Sequence, residues 1–163
     1  MNIKLLPLLL SLLIICSCQE SKSQKEQTGK TNTLTDKHTN FPGTGIYILL
    51  PDGFAYNTTA SGFVKDADGS VIKYDEFKKL RYDAKMSLEE KDKNILQEQK
   101  VNISGYEGKI ITYKEDETNI HYELSFGNDS FREFIEAVIF SKNKETGKDI
   151  LGALTTIVYE KKN

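Results

Sequence analysis

The chain has 163 residues, a net charge of −2, two cysteines, two histidines and no tryptophan. A near-balanced charge implies neither nucleic-acid binding nor a polybasic patch for an anionic bilayer. Two histidines exclude a His-rich metal site, and the length fits one domain of ordinary size.

The chain opens with Lys4, an apolar run from Leu5 to Ile15, and then Cys16-Ser17-Cys18 ahead of a polar stretch. The positive start, short apolar core and small residue fit a secretory signal, and eleven residues are too few to span the roughly 30 Å of a bilayer as a helix. Ile15-Cys16-Ser17-Cys18 resembles the lipobox of bacterial lipoproteins, an aliphatic residue, two mostly small ones and the cysteine that becomes the mature N-terminus. The resemblance implies cleavage after Ser17, acylation of Cys18 and a place in the cell envelope. Cys16 fits worse, because bulky Ile15 would precede the cut. Gln19 after the anchor, rather than Asp, implies outer-membrane sorting in a host with two membranes. Removing residues 1–17, which hold one lysine and no acid, leaves 146 residues with a net charge of −3. Beyond the anchor there is no thiol for a disulfide, a Cys metal site or a nucleophile.

Residues 18–40 read as the lipidated cysteine and a flexible tether. Between Gln19 and Asn40 the only large apolar residue is Leu34, too little apolar surface to offset the entropy of ordering. Twenty-two such residues would reach about 25 Å on average and about 75 Å at full extension.

Residues 41–163 are expected to form the globular domain, since all sixteen Phe and Tyr residues lie there and period-two alternation dominates. Ile46, Ile48 and Leu50 alternate up to a Pro51-Asp52-Gly53 turn. Strands over 62–65 and 71–77 flank Asp66-Ala67-Asp68-Gly69, a hairpin connection. Ser87-Leu88-Glu89-Glu90 matches a capping box and predicts a short helix. Strands follow over about 97–103, 106–114 and 119–126, and their short connections require antiparallel pairing. In the third, Ile120, Tyr122, Leu124 and Phe126 share one face, with His121, Glu123 and Ser125 on the other. The run 134–140 is apolar on both faces, which predicts a central strand covered above and below. Ile150, Leu151, Leu154, Ile157 and Val158 form one stripe and predict a closing amphipathic helix.

This order of elements resembles the Mog1/PsbP-like superfamily. The resemblance is carried by Ile46-Tyr47-Ile48-Leu49-Leu50-Pro51-Asp52-Gly53-Phe54, by Ser61-Gly62-Phe63, by Gly105-Tyr106-Glu107-Gly108-Lys109 and by Thr156-Ile157-Val158-Tyr159. It implies an α+β fold, an antiparallel sheet with helices packed on both faces as an α/β/α sandwich. It also implies a non-enzymatic role in partner binding or assembly, with no residue-level motif to carry over.

Candidate sites are few. Asp66, Asp68, Gly69 and Asp75 imitate the end of a calcium loop, but Val64 stands where the first Asp belongs and Asp75 where a bidentate Glu belongs, so a hairpin turn is the better reading. No metal or other cofactor is expected. His121 could serve as a general base beside Glu123 or Ser125. Ser125 lies about 13 Å along the strand from it, however, and no nucleophile motif accompanies it, so a surface or interface histidine is expected. Among Tyr47, Phe54, Tyr56, Phe63, Tyr74 and Tyr82 most rings should be core, with Phe54, Tyr56 and Phe63 around the 54–63 connection the candidates for partner contact. Asn57, Asn102 and Asn128 match the glycosylation acceptor pattern, which a bacterial signal makes irrelevant.

The sequence thus points to a lipid-anchored envelope protein, held to the membrane through Cys18, that binds a protein partner without chemistry of its own. The alternatives are a lipoprotein that binds a small hydrophobic ligand, which needs an apolar pocket between sheet and helix, and a hydrolase, which needs His121 buried beside a carboxylate and facing a cleft.

Overall fold

The computed structural model describes residues 32–85, 94–140 and 144–161. The signal, Cys18 and the capping box at 87–90 lie outside them. In chain order the described elements are β1 (Thr39–Asn40), β2 (Ile46–Ile48), β3 (Phe54–Asn57), β4 (Gly62–Lys65), β5 (Ser70–Tyr74), α1 (Glu76–Asp83), β6 (Asn94–Ile103), β7 (Tyr106–Lys114), β8 (Ile120–Asn128), β9 (Phe131–Ile139), α2 (Lys144–Leu154) and β10 (Val158–Tyr159). They build two antiparallel sheets, a small one ordered β1-β2-β10 and a seven-stranded one ordered β3-β4-β5-β9-β8-β7-β6.

Turn chemistry sets the register. Ser104 and Gly105 both take positive φ, 50° and 90°, and place Ile103 opposite Tyr106 in a two-residue hairpin whose twist suits its strands. The 66–69 connection places Lys65 opposite Ser70, as expected of the first hairpin. Asn57, Asn102 and Asn128 each accept backbone N–H bonds from the residues that follow them, so all three brace turns.

The alternation along β8 holds. Tyr122, Leu124 and Phe126 join Ile72, Ile135, Ala137 and Ile139 in one buried cluster on a single face of the large sheet. That face is covered by α2 and by Phe41, Ile46, Ile48 and Ile157 from around the small sheet. α2 buries Thr146, Gly147, Ile150, Ala153 and Leu154, a stripe of helical spacing. Gly147 permits the close approach, because a Cβ there would stand 2.6 Å from the Tyr122 hydroxyl and 3.1 Å from Ile139.

The α/β/α sandwich with helices on both faces is not the architecture found. The described residues form a mostly β domain of two antiparallel sheets with two short helices. Only α2 enters the core. No residue of α1 is buried, so that helix does not amount to a layer. β9 lies in the middle of the sheet, as the run 134–140 predicts, and Phe134, Ile135, Ala137, Val138 and Ile139 are buried. Its second face is covered by amphipathic side chains from both α1 and the neighbouring strand, with Tyr82 of α1 tilted against Phe134 and His121 of β8 opposite Val138, so that rings lie on apolar surface while polar tips stay outward.

Three boundaries also differ. The strand expected to run to Phe77 ends at Tyr74, where Asp75 Oδ1 accepts the Lys78 amide at 2.9 Å and starts α1. The closing helix stops at Leu154, and Val158–Tyr159 pairs with Tyr47–Ile46 as β10 rather than continuing the stripe. Finally, part of the stretch read as tether is tied to the domain. The Asn32 side chain donates to the Thr155 and Ile157 carbonyls, His38 Nε2 lies 3.2 Å from the Thr156 carbonyl oxygen, and Thr39–Asn40 pairs with β2.

Because Ile135 is fully buried in the core while Phe77 is 67% exposed, Ile135→Ala is expected to lower unfolding free energy by about 2–5 kcal/mol and Phe77→Ala by no more than about 0.5 kcal/mol. Urea denaturation of both variants measures the contrast; equal midpoints would contradict the assigned core.

Candidate functional site

The densest polar chemistry among the described residues sits on the face of the large sheet turned away from the core. Register brings it together. Glu123 of β8 stands directly opposite Glu136 of β9, Lys73 of β5 is opposite Glu136 on the other side, and Tyr113 of β7 is opposite His121 of β8. Two carboxylates opposed across a ladder repel, so the pair needs cations. Lys73 Nζ lies 3.1 Å from Glu136 Oε2, and Lys78, reaching over from α1, donates to Glu123 Oε2 at 2.8 Å. Lys78 also lies 3.7 Å from its own helix cap, Asp75.

His121, expected as a surface or interface histidine, does not lie on the surface. Only 7% exposed, it stacks on the Tyr113 ring with centroids 5.0 Å apart. Its Nδ1 lies 3.4 Å from Glu136 Oε1, and its Nε2 is 2.8 Å from Glu115 Oε2, a close approach without hydrogen-bond geometry. Glu136 is held down at about 2, first by the hydrogen bond with His121, against burial that opposes ionisation, with further help from Lys73 and Lys78. Burial works against the Lys78 ammonium, but Glu123 and Asp75 outweigh it and keep its pKa above the usual lysine range. Burial, reinforced by Glu136, Glu123 and Glu115, pushes the Tyr113 hydroxyl up, so it stays protonated.

This arrangement pins β5, β8, β9 and α1 to one another. Ser125, the hydroxyl considered with His121, is paired between Lys109 and Phe134, four residues along the strand. Among the described residues no group of three His, Cys, Asp or Glu side chains is placed to hold a metal ion. The calcium-like residues serve the fold. Asp68 Oδ1 accepts the Ser70 amide at 3.0 Å, and its Oδ2 accepts the Thr146 hydroxyl, which in turn accepts from Lys65 Nζ, so the β4–β5 turn is clamped to the start of α2.

The aromatic candidates separate. Phe54 and Phe63 are buried, whereas Tyr56 is 44% exposed and packs edge-on against Phe63 with centroids 5.6 Å apart. The larger exposed apolar surface lies elsewhere, on Phe77 and Leu80 of α1, at 67% and 59% exposure. They sit three residues apart and so share one helix face, with the Arg81 guanidinium 5.6 Å from the Phe77 ring centroid. Their signal is Asp75 as an N-cap followed by Glu76 and an apolar i, i+3 pair, which is hidden when 71–77 is taken as one strand. Beside α1, an open groove of about 550 Å³ runs between Lys79, Tyr82, Asp129 and Phe131.

No described helix is long and apolar enough to cross a membrane. Neither a protein-family model nor a curated protein matches the chain.

Two outcomes test the network. Glu136 has a pKa depressed in the folded state, so its contribution is present above the unfolded value of 4.5 and is lost as pH falls toward about 2. Glu136→Gln should therefore flatten the decline of stability across that window, as measured by thermal melts from pH 5 to pH 2. Lys78→Ala leaves Glu123 and Glu136 opposed with one cation fewer and is expected to cost about 1–3 kcal/mol. Adding Glu123→Gln should recover most of that loss, and a double-mutant cycle without coupling would remove Lys78 from the network.

Proposed function

We propose that this chain is a bacterial envelope lipoprotein, anchored by acylated Cys18, whose β-rich domain holds a macromolecular partner and performs no chemistry of its own. The observation that carries the reading is the apolar face of α1. Phe77 and Leu80 are exposed on a helix that buries none of its own residues, and an apolar pair of this kind costs solubility unless a partner covers it. Arg81 beside Phe77 completes the aromatic-plus-arginine composition typical of binding hot spots. Several acyl chains on Cys18 contribute about 0.8 kcal/mol per buried CH₂, enough to keep such a domain at the membrane where one chain binds only marginally.

The rival readings draw less support. The space between α2 and the large sheet is filled by one continuous apolar cluster, and Gly147 brings the helix against Tyr122, which leaves little room for a small hydrophobic ligand. For hydrolysis, His121 does lie beside two carboxylates, but its ring is covered by Tyr113 and committed to the network that ties three strands together.

The test is complementation of a deletion strain. Phe77→Ser with Leu80→Ser should leave abundance and melting near those of the parent while abolishing rescue, and Cys18→Ala should release the protein from membranes and leave no acylated N-terminus by mass spectrometry. His121→Gln at normal abundance should still rescue. Loss of rescue confined to His121→Gln would bring the hydrolase forward, and an unmodified Cys18 in the wild type would refute the anchor.

A further inference from the structure

We propose that β6 pairs antiparallel with the β6 of a second copy of this chain, about a two-fold axis at Gln99, so that two seven-stranded sheets join into one. β6 is the edge of the large sheet, ten residues long and exposed over most of its length. β7 takes one side of its backbone, and no strand takes the other among the described residues. A long edge with backbone N–H and C=O groups in a row is a template for another strand. Its register against β7 shifts between Ile95 and Gln97, which leaves Gln97 to Ile103 as the regular ladder.

The charge pattern of that ladder selects the occupant and the register. A two-fold axis normal to the sheet keeps each side chain on its own face only when the axis passes a residue that opposes itself. Centred on Gln99, such a pairing sets Glu98 against the partner copy's Lys100 and Lys100 against its Glu98, two opposite-charge pairs on one face. Centred one residue either way, it sets Glu98 against Glu98 or Lys100 against Lys100. The present surroundings of Lys100 favour the first arrangement. It stands directly opposite Lys109 across the ladder, and it makes no ion pair among the described residues, while Glu98 lies 3.7 Å from Lys109. A carboxylate from a second β6 is the missing counter-charge, and it relieves the Lys100–Lys109 repulsion. The partner that fits this edge is therefore the chain itself.

Thiol cross-linking of the full chain, with Cys16 and Cys18 changed to Ser so that the parent carries no thiol, tests the pairing. Gln99→Cys places two thiols directly opposite, with Cβ atoms about 5 Å apart, whereas Gln97→Cys leaves its thiols about 13 Å apart along the strand. A short bifunctional thiol reagent should give a covalent dimer of twice the chain mass from Gln99→Cys, absent from the parent, and about tenfold less from Gln97→Cys. Lys100→Glu in the Gln99→Cys background should lower the yield about tenfold, and adding Glu98→Lys should restore it. No dimer at position 99, equal yields at 97 and 99, a product of some other mass, or a charge swap that fails to restore would each overturn the proposal. The comparison of positions 97 and 99 requires neither charge variant, so a folding defect in Lys100→Glu does not blunt it.

Discussion

The pairing of β5 with β9 is the contact on which the rest of the domain depends. The large sheet is made of two meanders, β3-β4-β5 and β6-β7-β8-β9, each closed by short local turns, and only the β5–β9 ladder joins them. Its partners are far apart in sequence, Val71 with Val138 and Tyr74 with Ile135, so closing it demands loop entropy that the local hairpins do not. Ile72 and Ala137 repay this on the core face, where α2 then finds a surface to cover. On the opposite face the same ladder sets Lys73 against Glu136, so the junction is neutral where it forms.

That junction also explains why α1 lies where it does. Glu123 faces Glu136 across β8 and β9, and Lys73 is committed to the latter. Asp75 ends β5 and caps the helix that follows, and this one step places Lys78 over Glu123. The helix is held by charge and by the tilted contact of Tyr82 with Phe134 rather than by a buried stripe. An element attached in that way can leave Phe77 and Leu80 in solvent without loosening the core. Stability and the display of an apolar surface thereby fall on different faces of one short helix.

What was legible in the sequence was whatever one strand or one turn reveals by itself. The alternation of Ile120, Tyr122, Leu124 and Phe126, the turn at Ser104-Gly105 and the long central run each carry their own period. What was hidden depends on register between strands. No single segment shows that Glu136 comes beside His121, because that requires the β8–β9 pairing to be known. The inference of a second helical layer failed for a related reason. A strand apolar on both faces needs cover, but Tyr82 from a short helix that buries none of its own residues and His121 from the neighbouring strand provide it without a second packed layer. The closing stripe misled because Ile157 and Val158 repeat the helical spacing by chance, while their burial comes from the small sheet.

The small sheet also constrains how an anchored domain would stand. Asn32 binds the carbonyls of Thr155 and Ile157, and β1 pairs within a few residues of it, so the chain is fixed to the domain well before Phe41. An anchor at Cys18 then leaves residues 19–31 to bridge the gap, a span of about 45 Å at full extension rather than the 75 Å that a tether to Asn40 would allow. The point of attachment is the connection between α2 and β10, beside the small sheet. For the anchor proposed at Cys18, that span keeps the connection between α2 and β10 within about 45 Å of the bilayer, and the bonds from Asn32 and the β1–β2 pairing are what shorten it.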